Sequence, residues 1–238
     1  MAKSSPPPAT RAFTLIELLV VIVTIGILAA LAVPVFNGVL ERAKATKDLS
    51  NLRQISAATQ MYMNDNNGVF PGSATLSWMS QLEQSQKYLS AWRVLQSPFD
   101  KRTSSEAGTG SPVSKISYGI NSNIYSGGVA ISADRIAKPV TFIVFSPAQD
   151  TGTTVAFNTN ATATAAAPGV TEYAGTSTPG GAASGGTQNS RTKINALCAD
   201  WHVETMLWSG TGPAFTHTTD PGGDPDGPYR WCPQPPCP

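Results

Sequence analysis

The run Arg11-Ala12-Phe13-Thr14-Leu15-Ile16-Glu17-Leu18-Leu19-Val20-Val21-Ile22 decides the reading of this chain. Glu17 is the only charged residue between Arg11 and Glu41, in a stretch otherwise dominated by apolar and small side chains. Wound as a helix at about 1.5 Å per residue, that stretch is long enough to cross the roughly 30 Å hydrocarbon layer of a bilayer. A carboxylate inside such a span costs about 2.5–3.5 kcal/mol on insertion scales and marks a functional site by default. Whatever compensates Glu17 therefore bears on what the protein does.

Three plainer readings leave Glu17 unexplained. A secretory signal peptide would use Lys3 and Arg11 as its basic region and Ala30-Leu31-Ala32 as its cleavage site. The apolar run is longer than the usual 7–15 residues or so of such a peptide, and it holds a carboxylate. A simple membrane anchor has no use for Glu17. A core helix of a soluble domain would be amphipathic, whereas this run is apolar all round. Orientation is contested: Lys3 and Arg11 flank one side, and Arg42, Lys44, Lys47 and Arg53 follow the other. Counting positive charge alone does not put the N-terminus in the cytoplasm.

The segment resembles the N-terminus of type IV prepilins and of the pseudopilins of type II secretion. Their pattern is a short basic leader, a small residue, then Phe-Thr-Leu-Ile-Glu opening a long apolar helix. The resemblance covers about the first 55 residues. It implies a leader over residues 1–12, a cut between Ala12 and Phe13 by a prepilin peptidase/methyltransferase, and N-methylation of Phe13. Ala12 stands where the family usually carries Gly. Glu17 then falls at the family's glutamate position, and Pro34 where many members have a helix-bending proline. The implied assembly residues are Phe13, Glu17 and Pro34, with each Glu17 carboxylate neutralising the Phe13 amine of a neighbouring subunit. A buried charge is tolerable only when paired. The implied partners are other pilin subunits, an inner-membrane assembly platform and the lipid bilayer. The implied location is the inner membrane, with the head outside the cytoplasm, and then a periplasmic or cell-surface filament.

Beyond the apolar run, Leu49, Leu52, Ile55, Thr59 and Tyr62 recur at spacings of three and four, which make one helical face. No Pro or Gly interrupts Val39 to Asn67, and Asn64-Asp65-Asn66-Asn67-Gly68 is turn chemistry. The expected fold is α+β: a long N-terminal helix over 13–67, transmembrane over about 13–40 and amphipathic after that, packed on a β-rich head over 68–238. Gly26, Pro34 and Gly38 are places where the helix should soften. Expected strands are Val113–Ile120, Val140–Phe145 and a hairpin of Ile194–Ala199 with His202–Trp208. Trp78–Leu95 reads as a second helix. Residues 151–190 are Thr, Ala, Gly, Ser and Asn with almost no charge and read as long loops, and the Pro/Gly-rich tail 216–238 as an irregular wrap.

Asn195-Ala196-Leu197-Cys198-Ala199-Asp200-Trp201-His202-Val203-Glu204 resembles the Ala-Asp-Gly-His-Val-Glu hairpin of a large bacterial group of prepilin-like proteins. Tyr118-Gly119-Ile120-Asn121 and Arg230-Trp231 echo the same heads. Trp201 replaces the hairpin Gly, so a two-residue primed turn would be strained and another turn type is expected. Asp200, His202 and Glu204 alternate, with His202 and Glu204 on one strand face. His217 is the only other imidazole, and no cysteine pair has zinc spacing. The favoured reading is therefore a polar outer strand face, and a metal site at Asp200, His202 and Glu204 is the lesser alternative.

Asp220, Asp224 and Asp226 sit on a Gly-rich stretch that could hold Ca²⁺, as some pseudopilins do with a C-terminal loop. The spacing is not that of an EF-hand, and a solvated turn is the alternative. No other cofactor is expected. Of the three cysteines, Cys232 and Cys237 bracket a short stiff loop, and Cys198–Cys232 is the other bridge available to an exported protein. There is no serine-hydrolase elbow, phosphate loop or HExxH motif, so no enzyme is expected. With 16 basic and 15 acidic residues the chain has no strong nucleic-acid signal. A structural pilus or pseudopilus subunit is the reading. The alternative is a membrane-anchored or secreted binding protein that never polymerises.

Overall fold

The computed structural model describes residues 14–73, 78–83, 87–89, 91–99, 117–126, 128–147, 156–157, 193–208, 215–217, 229–230 and 232–234. Helix α1 (Leu15–Asp65) runs unbroken for 51 residues through Gly26, Pro34 and Gly38. A Cβ added at Gly26 or Gly38 would meet nothing within 4 Å among the described residues, so none of them packs closely there. Pro34 has no N–H to offer the carbonyl four residues back, yet the backbone stays helical. The helix ends by local chemistry. Asn67 adopts a left-handed φ of 54°, and the Gly68 N–H donates to the Met63 carbonyl at 2.8 Å, which is a Schellman closure.

The chain forms two compact units that meet within α1: Met1–Arg42 and Ala43–Pro238. In the first, Leu15–Ala32 is an 18-residue apolar span with none of its residues buried. In the second, the rest of α1 supplies a buried face of Asp48, Asn51, Leu52, Ile55, Ala58, Thr59 and Met63. Leu52, Ile55 and Thr59 of the expected stripe are buried, Leu49 and Tyr62 only partly.

The head is built on a six-stranded sheet in the order β5-β1-β4-β6-β7-β8. Its strands are β1 (Tyr118–Asn121), β4 (Ile143–Pro147), β5 (Ala156–Phe157), β6 (Lys193–Cys198), β7 (Val203–Trp208) and β8 (Phe215–His217). All neighbours are antiparallel except β1 and β5. A separate ribbon pairs β2 (Tyr125–Ser126) with β3 (Val129–Ala130). Ile143 to Ser146 of β4 and Ile194 to Cys198 of β6 are buried without alternation, as suits central strands covered on both faces. Trp78 stacks edge-on against Phe145 at 4.9 Å in a core shared with Leu52, Ile55, Phe70 and Phe142.

The fold is α+β, as the sequence indicates, with four departures. The expected strand Val140–Phe145 is displaced to Ile143–Pro147, and Val140 and Thr141 lie in a turn before it. The expected helix Trp78–Leu95 is a six-residue α2 (Trp78–Glu83) and a separate 3₁₀ turn, Trp92–Leu95. The Leu89 N–H donates to the Leu82 carbonyl, seven residues back, which no α-helix allows. Inside the presumed loop 151–190, Ala156–Phe157 adds a parallel edge to β1. The tail read as irregular begins with Thr216–His217 in β8, paired to β7. Short edge strands need only backbone pairing, so composition did not betray them.

Candidate functional site

Ala12 and Phe13, the processing residues, lie outside the described residues, as do Asp220, Asp224, Asp226 and Cys237. Pro34 lies within α1. Glu17 is resolved, and it has a local task. The Thr14 N–H and the Thr14 hydroxyl both donate to Glu17 Oε2 at 2.9 Å, and the Glu17 N–H donates to Thr14 Oγ1 at 3.2 Å. This is a reciprocal capping box, which satisfies orphan donors at the start of a helix. The signal was present in the spacing Thr14-x-x-Glu17. It corrects the argument that an anchor has no use for this carboxylate: an anchor can use it as a cap.

A second polar site joins the lower part of α1 to the head. Asp48 is fully buried and accepts hydrogen bonds from the Ser97 hydroxyl (2.6 Å), the Tyr118 hydroxyl (2.6 Å) and Asn195 Nδ2 (2.9 Å). Asn51 Nδ2 donates to the Gln96 carbonyl at 2.9 Å, and Thr205 Oγ1 donates to Asn195 Oδ1 at 2.9 Å. Burial pushes the Asp48 carboxyl above its ordinary value, against the pull of its three donors.

The third site is the β6–β7 turn. Cys198 and His202 close a three-residue loop through Cys198 N–H to the His202 carbonyl (2.9 Å) and Trp201 N–H to the Cys198 carbonyl (3.0 Å). Trp201 takes φ 73°, the left-handed position of a three-residue hairpin loop, and its ring leans on Phe70 at 6.3 Å. The turn is thus not a two-residue primed turn, as expected. Glu204 departs from the polar outer face: its side chain is only 10% exposed and its Oε2 lies 3.4 Å from Arg230 Nη1. Cys232 is disulfide-bonded and buried, while Cys198 is a buried free thiol.

Type II secretion system core proteins and type IV pilins match this chain over an N-terminal stretch of about 55 residues. There the chain is 46% identical over 57 residues to the type II secretion system core protein G of Pectobacterium carotovorum, 24% of this chain and 36% of that protein. It is 48% identical over 54 residues to the protein of the same name in Pseudomonas aeruginosa, covering 23% and 38%. It is 40% identical over 58 residues to the type IV major pilin protein PilA of Myxococcus xanthus, covering 24% and 26%. The chain thus spans well under half the length of these relatives. No protein-family model matches it, and no solved structure matches it significantly. The N-terminal resemblance to pilins and pseudopilins holds on these matches, and the head stands outside them.

Proposed function

We propose that this chain is a structural subunit, not an enzyme, of a type IV pilus or type II secretion pseudopilus. Its precursor sits in the inner membrane with the head outside the cytoplasm. A prepilin peptidase/methyltransferase cuts between Ala12 and Phe13 and methylates Phe13. Subunits then leave the bilayer through an assembly platform and polymerise by packing their N-terminal helices. The leader is 1–12, the helix 13–67 and the head 68–238, with one disulfide between Cys232 and Cys237. The observation that carries this is the 46% identity to a type II secretion system core protein G over the N-terminal stretch, whose apolar span Leu15–Ala32 has no buried residue.

The Thr14–Glu17 box gives the rival, a non-polymerising anchored binding protein, its one specific support. The two are separable because a capping box accepts Gln as well as Glu. Glu17→Gln keeps the cap and removes the charge, and Glu17→Ala removes both. If Glu17 neutralises a neighbouring Phe13 amine, both variants insert in the membrane yet yield no sheared filament protein. If Glu17 is only a cap in a filament subunit, Glu17→Gln assembles like the parent; a parent chain that itself yields no sheared filament protein supports the anchored binding protein instead. N-terminal sequencing of sheared protein should read Phe13 with an added methyl. A start at Val33 would mean an ordinary signal peptide.

A further inference from the structure

The β6–β7 turn collects donor atoms of three kinds. Cys198 and His202 face each other across the mouth of the loop, and paired residues on antiparallel strands project from the same face. Glu204, two residues on from His202, shares that face. One ligand atom from each of Cys198, His202 and Glu204 lies within 4.8 Å of the other two. His202 Nδ1 sits 2.5 Å from Asp200 Oδ1, and its Nε2 lies 3.9 Å from Glu204 Oε2.

We infer that Cys198 Sγ, His202 Nε2 and the Glu204 carboxylate form a binding site for a divalent cation of the zinc class, oriented by Asp200. The donor set decides the class of ion: sulfur and imidazole select a borderline-soft metal, whereas Ca²⁺ and Mg²⁺ take oxygen alone. The geometry is close to what such an ion needs. Tetrahedral coordination at ordinary zinc bond lengths separates the donors by about 3.4–3.6 Å. The 3.9 Å between His202 and Glu204 is about half an ångström too wide. All three ligand atoms lie within 4.8 Å of one another, so closing on an ion needs shifts of up to about one ångström, and the partly exposed His202 ring is the donor free to make them. With Nδ1–H donated to Asp200, the Nε2 lone pair would be left for the metal, the usual arrangement around a metal-bound histidine. The charges also balance. Arg230 pairs with Glu204, Asp200 contacts His202, and with a thiolate at Cys198 the three anions and one cation leave two negative charges for a divalent ion to cancel.

Two features work against tight binding. Arg230 already shares Glu204, although 3.4 Å is longer than a strong charge-assisted bond. Burial, with help from Glu204 and Asp200, pushes the Cys198 thiol up to about 12, so the ion must displace a proton. With three protein donors among the described residues, a fourth position is open to water or another group. The site does not depend on the filament reading and can fail or stand without it.

The test uses the full chain purified in detergent, stripped with chelator and titrated with Co²⁺. The expected result is one equivalent bound, with a thiolate-to-cobalt charge-transfer band and four-coordinate visible bands, both removed by one equivalent of Zn²⁺. Cys198→Ser should abolish the charge-transfer band. Because that change falls in the core, His202→Ala is the second variant: it alters an exposed ring, and should weaken Zn²⁺ binding at least tenfold while circular dichroism stays unchanged. Asp200→Asn should weaken it by about 10- to 100-fold. No charge-transfer band in the parent chain, or equal Zn²⁺ affinity in His202→Ala, overturns the site.

Discussion

Trp201 holds a backbone conformation, φ 73°, that costs a residue with a Cβ about 1–2 kcal/mol. Its ring leans on Phe70 and is half-buried against the head, and that packing offsets the strain. The two contributions separate by substitution. Trp201→Ala loses the ring and keeps the strain, so it should destabilise the head by roughly 2 kcal/mol, part of the full cost of truncating a core aromatic. Trp201→Gly loses the ring and relieves the strain, so it should be about 1 kcal/mol more stable than the Ala variant. Elsewhere in a strand or helix the order is reversed, Gly being worse than Ala. Denaturant midpoints of the two variants decide it, and a Gly variant no more stable than Ala would mean the turn carries no strain. The Trp in place of the usual Gly was visible in the sequence, and so was the need for a different turn. The partner Phe70 was not, because the contact spans a sequence distance that local pattern cannot bridge.

The lower half of α1 shows the same limit in a helix. Its apolar periodicity identified Leu52 and Ile55, but periodicity places polar residues outward, and Asp48 and Asn51 point inward beside them. Their partners, Ser97, Tyr118 and Asn195, come from three separate parts of the head. No spacing rule anticipates such donors; only the assembled sheet brings them together. Removing the acceptor should therefore be expensive: Asp48→Ala orphans three buried donors and should cost on the order of 2–3 kcal/mol. The carboxyl also sets a pH dependence. Burial raises its folded value above the unfolded 3.8, so between the two the native state binds more protons than the unfolded chain. Stability should then fall as pH rises from about 4 through the raised value, and stay lower above it. Asp65, held down by its bonds to Lys87 and Tyr88, acts in the opposite sense, losing stability as pH falls. The difference between the parent and Asp48→Asn, measured by urea unfolding across that range, isolates Asp48. Parallel pH profiles would show that Asp48 titrates normally.

At the scale of the whole chain, the boundary between compact units falls inside a continuous helix, between Arg42 and Ala43. Sequence reading located the helix and its change of character from apolar to amphipathic. Low-complexity composition over 151–190 hid the edge strand there, because a two-residue strand has no pattern. The division has a consequence for truncation. Among the described residues, every buried one lies beyond Arg42, the first being Asp48. A chain starting at Ala43 therefore keeps the whole described core and sheds the unburied apolar span. A chain starting at Gly68 looks like a cleaner cut at the end of the helix, but it removes Leu52, Ile55, Ala58 and Met63 from the core. Burying a Leu or Ile is worth about 1.5–3 kcal/mol, so losing this set approaches the whole 5–15 kcal/mol or so that holds a domain folded. It also strips Ser97, Tyr118 and Asn195 of their carboxylate. The expected outcome is that 43–238 is soluble without detergent and melts cooperatively, while 68–238 aggregates or shows no transition. Thermal melts and gel filtration of the two fragments decide it. A cooperative 68–238, or an aggregated 43–238, would mean that α1 does not complete the core of the head.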